Sequence, residues 1–191
     1  MIFIIPIIIV IVYLITFYNG TKTIQVRIKA SIQEIANQLK RQADLIPNLE
    51  ESAMGYMKQE KGIFTDLTNA RKSIDKAVSS GDVQKMADAG SEFASVLPKL
   101  QVIMESNPEI KSDNVVSRLM DELRDTSDKV MYARRLVIDL TADFNVRRVS
   151  FPSNLIANMF KFEEQPGLIT PDKGEHLEVS SEETKAPKIR F

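Results

Sequence analysis

The sequence predicts an all-α protein: an N-terminal transmembrane helix, an antiparallel up-down four-helix bundle, a short C-terminal helix and a disordered tail. The first eighteen residues carry no charged side chain. Four later segments place apolar residues at alternating steps of three and four, which is the spacing of one face of a helix. The end of the chain is polar and is interrupted by proline and glycine, as disordered segments are. We therefore divide the chain into an anchor (1–19), a bundle (20–162) and a tail (163–191).

The N-terminal stretch MIFIIPIIIVIVYLITFY is long enough to cross a membrane. As a helix it would span ~27 Å, close to the ~30 Å of a hydrocarbon core. A cleaved signal peptide is the alternative, but the stretch lacks a basic start and a small-residue cleavage site. Lys22, Arg27 and Lys29 follow it, and no basic residue precedes it. The positive-inside rule therefore predicts a single-pass cell-membrane protein with its N-terminus outside and its body in the cytoplasm.

The four repeating segments each predict one helix of the bundle. Gly81 and Asp82 predict the boundary between helices two and three, and Ser112 and Asp113 predict the start of helix four. Short connections between long helices favour antiparallel neighbours. The apolar seams are Ile24, Ile28, Ile32, Ile35 and Leu39; Leu49, Ala53, Tyr56, Ile63, Leu67, Ala70, Ile74 and Ala77; Val83, Met86, Gly90, Phe93, Leu97, Leu100 and Met104; and Val116, Leu119, Leu123, Thr126, Val130, Ala133, Val137, Leu140 and Phe144.

The stretch LKRQADLIPNL, residues 39–49, predicts the break between helices one and two. Asp44 would cap the new helix, and Pro47 would lie in its first turn, where a missing N–H costs least. A ligand-binding role for the neighbouring Lys40 and Arg41 is the alternative, although basic residues at a helix C-terminus also interact favourably with its dipole. We predict that DLIP is structural.

Glu60 is the one acid within a seam, since it falls between Tyr56 and Ile63. Arg71 and Arg134 each directly follow an alanine of a seam. We therefore predict that Glu60 pairs with Arg71 or Arg134 inside the bundle, where such a pair would fix the register of the helices.

The stretch FPSNLIANMF, residues 151–160, predicts a short helix close to the membrane. An up-down bundle returns the chain to the anchor side by Asn145, and Ser153 is the predicted cap. Apolar side chains flanked by Arg147, Arg148 and Lys161 suit an anionic lipid surface. The alternative is that the helix plugs the open end of the bundle. The candidate membrane-contact residues are Phe151, Leu155, Ile156, Met159 and Phe160.

The composition limits the chemistry that the chain can perform. It has no cysteine and one histidine, His176, so disulfides, cysteine-based zinc sites and catalytic thiols are impossible. There is no Glu-x-x-His pair and no phosphate-binding Gly-rich loop. A serine nucleophile with a lysine base is compatible with the composition, but no strand-turn-helix elbow is present to hold it. The net charge of −1 gives no general attraction for nucleic acid. We expect no enzyme, no cofactor and no nucleic-acid partner.

The order and spacing of several motifs resemble the LemA family of bacterial membrane-anchored proteins. The resemblance covers about residues 18–162 and implies a membrane-associated helical bundle without an established activity. The motifs are LKRQADLIPNL, Gly55-Tyr56 with Glu60, Asn69–Arg71, Glu105 with Pro108 and Lys111, Ala133-Arg134, Asn145 and FPSNLIANMF. The sequence departs from the family at Ile32 (usually tryptophan), Gln42 (basic), Gln59 (histidine), Ser127 (glutamate) and Val137-Ile138 (Tyr-Asn).

Taken together, these features predict a non-enzymatic scaffold or adaptor of the bacterial cell envelope, with membrane lipid around its anchor and an unknown protein partner. The alternative is a module that binds lipid or a small amphiphile at the membrane surface. The tail either keeps the protein soluble or carries a short partner-binding motif, with LITP (168–171) or the terminal KIRF as its anchor.

Overall fold

The computed structural model describes residues 4–55 and 60–169, and every regular element in those ranges is a helix. This confirms the predicted all-α fold class. The helices are α1 (Ile4–Ala53), α2 (Lys61–Ser80), α3 (Val83–Ser106), α4 (Pro108–Ser112), α5 (Asn114–Val149) and α6 (Ser153–Met159).

The four long helices α1, α2, α3 and α5 form an up-down bundle. The largest interface joins α1 to α5. These two helices run antiparallel, because Gly20 faces Arg147 at one end and Arg41 binds Glu122 at 3.3 Å further along. α1 has 50 residues and is therefore ~75 Å long, whereas α2 and α3 have 20 and 24. The shorter pair can cover only part of α1.

The core consists of two clusters stacked along α1. The larger cluster draws on α1, α2, α3 and α5 and holds Phe93 and Leu39, which are fully buried. The smaller cluster lies nearer the apolar N-terminal segment and joins α1, the end of α5, α6 and Phe162. Ile32 packs against both clusters. The smaller cluster contains Phe17, Ile24, Ile28, Leu140, Phe144, Ile156, Ala157 and Phe162.

The predicted helix break at DLIP is wrong, because α1 runs through it without interruption. Pro47 lies inside the helix and Asp44 is exposed on it, so Asp44 is not a cap. A proline within a helix costs about 3 kcal/mol. Ile46 and Leu49 are 0 % and 1 % exposed, and fully burying such side chains contributes about 1.5–3 kcal/mol each. Their burial outweighs the proline, and α1 ends instead at Ala53.

The predicted boundaries around α3 and α5 are correct. Gly81 ends α2 with a left-handed φ of 67°, a conformation that glycine adopts without steric cost. The Asp82 carboxylate accepts hydrogen bonds from the N–H groups of Gln84 and Lys85 at the start of α3. At the start of α5, Asp113 accepts in the same way from the N–H groups of the two residues Val115 and Val116.

The Asp82 carboxylate makes the stability of the start of α3 depend on pH. The N–H of Lys85 lowers the pKa of Asp82 from its usual value, and the N–H of Gln84 adds to this. A carboxyl with a lowered folded-state pKa contributes its full stabilisation above the unfolded-state pKa. That contribution is lost as the pH falls through the lowered value.

Asp113→Ala and Asp44→Ala should have opposite effects. Asp113→Ala removes a cap and should cost about 0.5–2 kcal/mol. Asp44→Ala replaces an exposed residue in a helix interior with the best helix former, so stability should be unchanged or raised by a few tenths of a kcal/mol. Chemical denaturation of the two full-length variants in detergent measures both. A larger loss for Asp44→Ala would restore the predicted cap and contradict the continuous α1.

Candidate functional site beside the apolar segment

The apolar N-terminal part of α1 stands clear of the bundle. Among the described residues, α1 is the one helix long and apolar enough to cross a membrane, and only 11 % of its apolar window is buried. A core helix of a soluble protein would bury most of that window. The four consecutive side chains of Ile7, Ile8, Ile9 and Val10 are all exposed, so the exposure extends around the whole circumference of the helix. This segment is therefore a candidate membrane anchor.

An aromatic cluster fixes α6 beside the end of this apolar segment. The rings of Tyr18 and Phe160 have centroids 4.8 Å apart. The edge of Phe162 meets Phe17 at 6.5 Å and Phe144 at 6.0 Å. These distances and tilts are those of favourable aromatic pairs. Because Phe17 and Tyr18 are the last apolar residues before the charged part of α1, α6 lies level with the end of the candidate anchor.

The short helix α6 has a buried face and an exposed apolar face. Four of the predicted membrane-contact residues are exposed: Phe151 by 81 %, Leu155 by 61 %, Met159 by 59 % and Phe160 by 44 %. The fifth prediction is wrong, because Ile156 is only 6 % exposed and belongs to the smaller core cluster. The two alternative interpretations of FPSNLIANMF are thus combined in one helix, since one side closes the bundle and the other faces outward.

The start of α6 differs from the prediction in one detail. Pro152 occupies the cap position and makes no side-chain cap bond. Ser153 is the first helical residue, and its hydroxyl donates to the carbonyl of Ser150 at 3.0 Å. Its side chain is therefore turned back toward the preceding turn.

Basic side chains surround this end of the molecule. Arg147 and Lys161 are exposed. The ammonium of Lys22 lies 5.2 Å from the centre of the Phe162 ring and 5.8 Å from that of Tyr18, within cation–π range. Arg148 binds Glu164 at 2.9 Å. Apolar and basic groups therefore lie next to each other where α1 leaves its apolar segment.

The predicted pairing of Glu60 is wrong. Glu60 precedes the first residue of α2 and is exposed. Arg71 is also exposed and lies roughly 16 Å further along the same helix. Arg134 donates from Nη1 to the Ser91 hydroxyl at 2.6 Å instead. The predicted seam from Leu49 to Ala77, which placed Glu60 inside the bundle, is interrupted by the turn after Ala53. Tyr56, another residue of that seam, lies outside the described residues.

A segment that we assigned to the tail packs against the bundle. Residues 163–169 have no regular secondary structure, and Leu168 contacts the larger core cluster. Asn145 hydrogen-bonds both backbone groups of Gln165, and Gln84 does the same for Ile169. The predicted boundary after residue 162 therefore lies too early. Our sequence interpretation did not identify Gln84 and Asn145 as functional candidates. The only feature of this segment that it singled out was LITP, as a possible partner-binding motif. The rest of the tail, 170–191, lies outside the described residues.

Gln42 is a polar side chain inside the apolar core. It is 0 % exposed, and neither atom of its amide has a hydrogen-bond partner in the described ranges. Ser127, another position where the sequence departs from the family pattern, is also buried. No group of three or more metal-ligating side chains occurs within residues 4–55 and 60–169.

Gln42→Met should stabilise the protein by about 1–3 kcal/mol, because it removes a buried amide that makes no hydrogen bonds while nearly preserving shape. Thermal or chemical unfolding of the full chain measures the change. Gln33→Met, at an exposed position of the same helix, is the control and should change stability by no more than about 0.5 kcal/mol. A loss of stability for Gln42→Met would show that the amide has an unrecognised partner.

Comparison with known proteins identifies the family of this chain. The model of the LemA family matches residues 31–191, which is most of the chain. A comparison with curated proteins returns no match. Because the match includes most of the bundle, α6 and the segment that follows it, the chain belongs to the LemA family.

Proposed function

We propose that this protein is a membrane-anchored, non-enzymatic scaffold or adaptor of the bacterial cell envelope. The observation that carries the proposal is the continuity of α1, which joins the apolar segment to the core of the bundle in one helix from Ile4 to Ala53. A helix without a break transmits position and orientation, whereas a flexible linker does not. The bundle would therefore be held at a fixed height and angle above the membrane, as a docking platform requires.

The proposed location of the bundle is the cytoplasm. Lys22, Arg27 and Lys29 follow the apolar segment, and Arg147 and Arg148 add basic charge at the same end of the molecule. Basic residues close to a membrane span favour the cytoplasmic side. A reporter that is active only outside the cytoplasm, fused after Phe191, should be inactive. An active reporter would reverse the orientation.

A binding role suits the composition better than a reaction. The chain has no cysteine for a nucleophile or a thiolate ligand, and its one histidine lies in the tail. The bundle presents many charged side chains outward, and several of them form surface ion pairs, such as Lys99 with Asp66 and Arg41 with Glu122. Exposed pairs of this kind add little stability, and they leave a charged surface on which a protein partner can dock.

Crosslinking in native membranes followed by affinity purification tests the adaptor function. The full chain should recover one protein in stoichiometric amount. In a control chain, the anchor is replaced by an unrelated membrane span. A partner that binds the bundle should still be recovered with this chain, whereas a partner that binds the anchor should be lost. Recovery of lipid alone would contradict the proposal.

The second candidate function is a module that binds lipid or a small amphiphile at the membrane surface. It is favoured by the exposed apolar face of α6 beside Arg147 and Lys161. Apolar side chains next to basic ones are typical of helices that lie on anionic membranes. Leu155→Ser with Met159→Ser should abolish lipid crosslinking to α6 if this function is correct. If the same variant still recovers the protein partner in an unchanged amount after crosslinking, the result favours the adaptor function.

A further inference from the structure

Residues 163–169 are held in the groove between α1, α3 and α5 mainly through their backbone. Asn145 Nδ2 donates to the carbonyl of Gln165 at 2.9 Å, and the N–H of Gln165 donates to Asn145 Oδ1 at 3.0 Å. At the other end, the N–H of Ile169 donates to Gln84 Oε1 at 2.8 Å, and Gln84 Nε2 donates to the Ile169 carbonyl at 3.4 Å. Two side-chain amides thus each engage both the donor and the acceptor of one residue.

This arrangement imitates the pairing of β-strands. In an antiparallel ladder, two opposed residues exchange both of their N–H···O bonds. Here the amide side chains of Asn145 and Gln84 take the place of the neighbouring strand. Gln165 and Ile169 lie four residues apart, and each presents both its N–H and its C=O to one of the two amides. Such contacts do not depend on the side chains of the bound segment, and they would accept a different sequence in the same conformation.

The protein's own segment does not fill the groove. A free volume of about 240 Å³ remains beside it, and its lining includes Ile28, Ile32, Val83, Val137, Gly167 and Leu168. Gly167 contributes no side chain to this space. A Cβ built there would lie 3.8 Å from the Thr141 methyl, which is an ordinary contact. The Thr141 hydroxyl is buried and has no hydrogen-bond partner among the described residues. The groove therefore has room for a larger occupant.

We propose that this groove is a binding site for an extended peptide segment of a partner protein, which displaces residues 163–169. The segment would be clamped through its backbone at two residues four apart. It would carry an aliphatic side chain at the place of Leu168 and a side chain larger than hydrogen at the place of Gly167. The inference deepens the adaptor function proposed above and rests on it. Residues 163–169 act as a competitor within the same chain and lower the apparent affinity for the partner.

The test uses the full chain in lipid nanodiscs and a labelled probe peptide with the sequence of residues 163–169 in which Gly167 is changed to Ala. Leu168→Asp weakens the internal competitor. This variant should bind the probe in a saturable manner, at least about tenfold more tightly than the unaltered chain does. Adding Asn145→Ala or Gln84→Ala should weaken binding by about tenfold each, because two hydrogen bonds are lost. Asn69→Ala removes an exposed amide on α2, a helix that contributes no residue to the lining of the groove, and should have no effect.

A backbone-modified probe separates this mechanism from unspecific apolar binding. N-methylation at the positions of Gln165 and Ile169 removes the two donated N–H groups and should abolish binding. Hydrogen exchange at the Ile169 amide gives a second measurement that does not need the probe: exchange should accelerate in Asn145→Ala and Gln84→Ala and slow down in Gly167→Ala. Absence of probe binding to the Leu168→Asp chain, or equal binding of the N-methylated probe, would overturn the proposal.

Two further outcomes are informative. If the unaltered chain forms dimers that exchange residues 163–169, the occupant is a second copy and the partner-peptide proposal is wrong. If crosslinking recovers a protein partner whose yield is unchanged by Asn145→Ala and Gln84→Ala, the groove inference fails while the adaptor function stands. Probe binding with no partner recovered from membranes would contradict the adaptor function and leave the groove as a peptide site.

Discussion

Thr23→Pro should lower the free energy of unfolding by about 3 kcal/mol or more and uncouple the apolar segment from the bundle. Thr23 is an exposed residue in the interior of α1, just after the apolar segment and one residue before Ile24, which is buried in the smaller core cluster. Proline there removes the N–H that bonds the Asn19 carbonyl, and its ring crowds that carbonyl. No new burial compensates for the loss, in contrast to Pro47, where Ile46 and Leu49 are buried on either side.

The control for this prediction is Thr23→Ala. It removes the hydroxyl that bonds the Asn19 carbonyl at 2.8 Å but keeps the helix, so its effect should stay within about 0.5 kcal/mol. Denaturant titration in detergent measures stability, and the mobility of a spin label at exposed Val26 reports the uncoupling. Equal stability and equal label mobility in the two variants would mean that α1 is not a rigid connection.

Phe144→Ala should cost about 3–5 kcal/mol, the usual range for truncating a buried aromatic residue. Phe144 is 0 % exposed and packs edge-on against Phe162 at a centroid distance of 6.0 Å. Phe162 in turn contacts Phe17 and Tyr18, which join α6 to α1. Removing the ring leaves a cavity at the centre of the smaller core cluster, and we expect hydrogen exchange in α6 to accelerate more than in α2.

Phe151→Ala is the matched control, because the same ring is removed from a position that is 81 % exposed. In detergent its effect should be within about 0.5 kcal/mol. If Phe144→Ala destabilises α2 and α6 equally, the two core clusters unfold as one unit. If it costs no more than Phe151→Ala does, the packing of Phe162 against α5 is not as described.

The seams of the bundle could be read from the sequence because they obey a single periodicity. Of the nine residues predicted for the last long helix, all but Leu119 are buried. The N-caps of α3 and α5 could also be predicted, because Asp82 and Asp113 accept hydrogen bonds from backbone groups two and three residues further along the chain and depend on no distant residue. The break at DLIP was predicted wrongly because a local proline signal competes with burial against other helices. Only the tertiary structure shows that Ile46 and Leu49 continue the core.

The end of the bundle beside the candidate anchor was predictable only in part. The length of the predicted bundle helices placed the FPSNLIANMF helix near the anchor, but the sequence did not reveal which of its apolar residues face inward. Ile156 is buried and Leu155 is exposed, although both are aliphatic neighbours. The clamp formed by Gln84 and Asn145 was not predictable, because these amides are far apart in the chain and bind the backbone of a segment whose composition suggests disorder.

We propose that one rigid helix, α1, sets α6 at the level of the membrane surface. Collision accessibility of spin labels in nanodiscs tests it most directly, with labels at Leu155 on α6 and at Val102 on α3, two exposed positions. We expect the Leu155 label to collide with oxygen dissolved in the lipid and to be shielded from a water-soluble nickel reagent, while the Val102 label should show the reverse. Equal accessibility of both labels to the nickel reagent would contradict it.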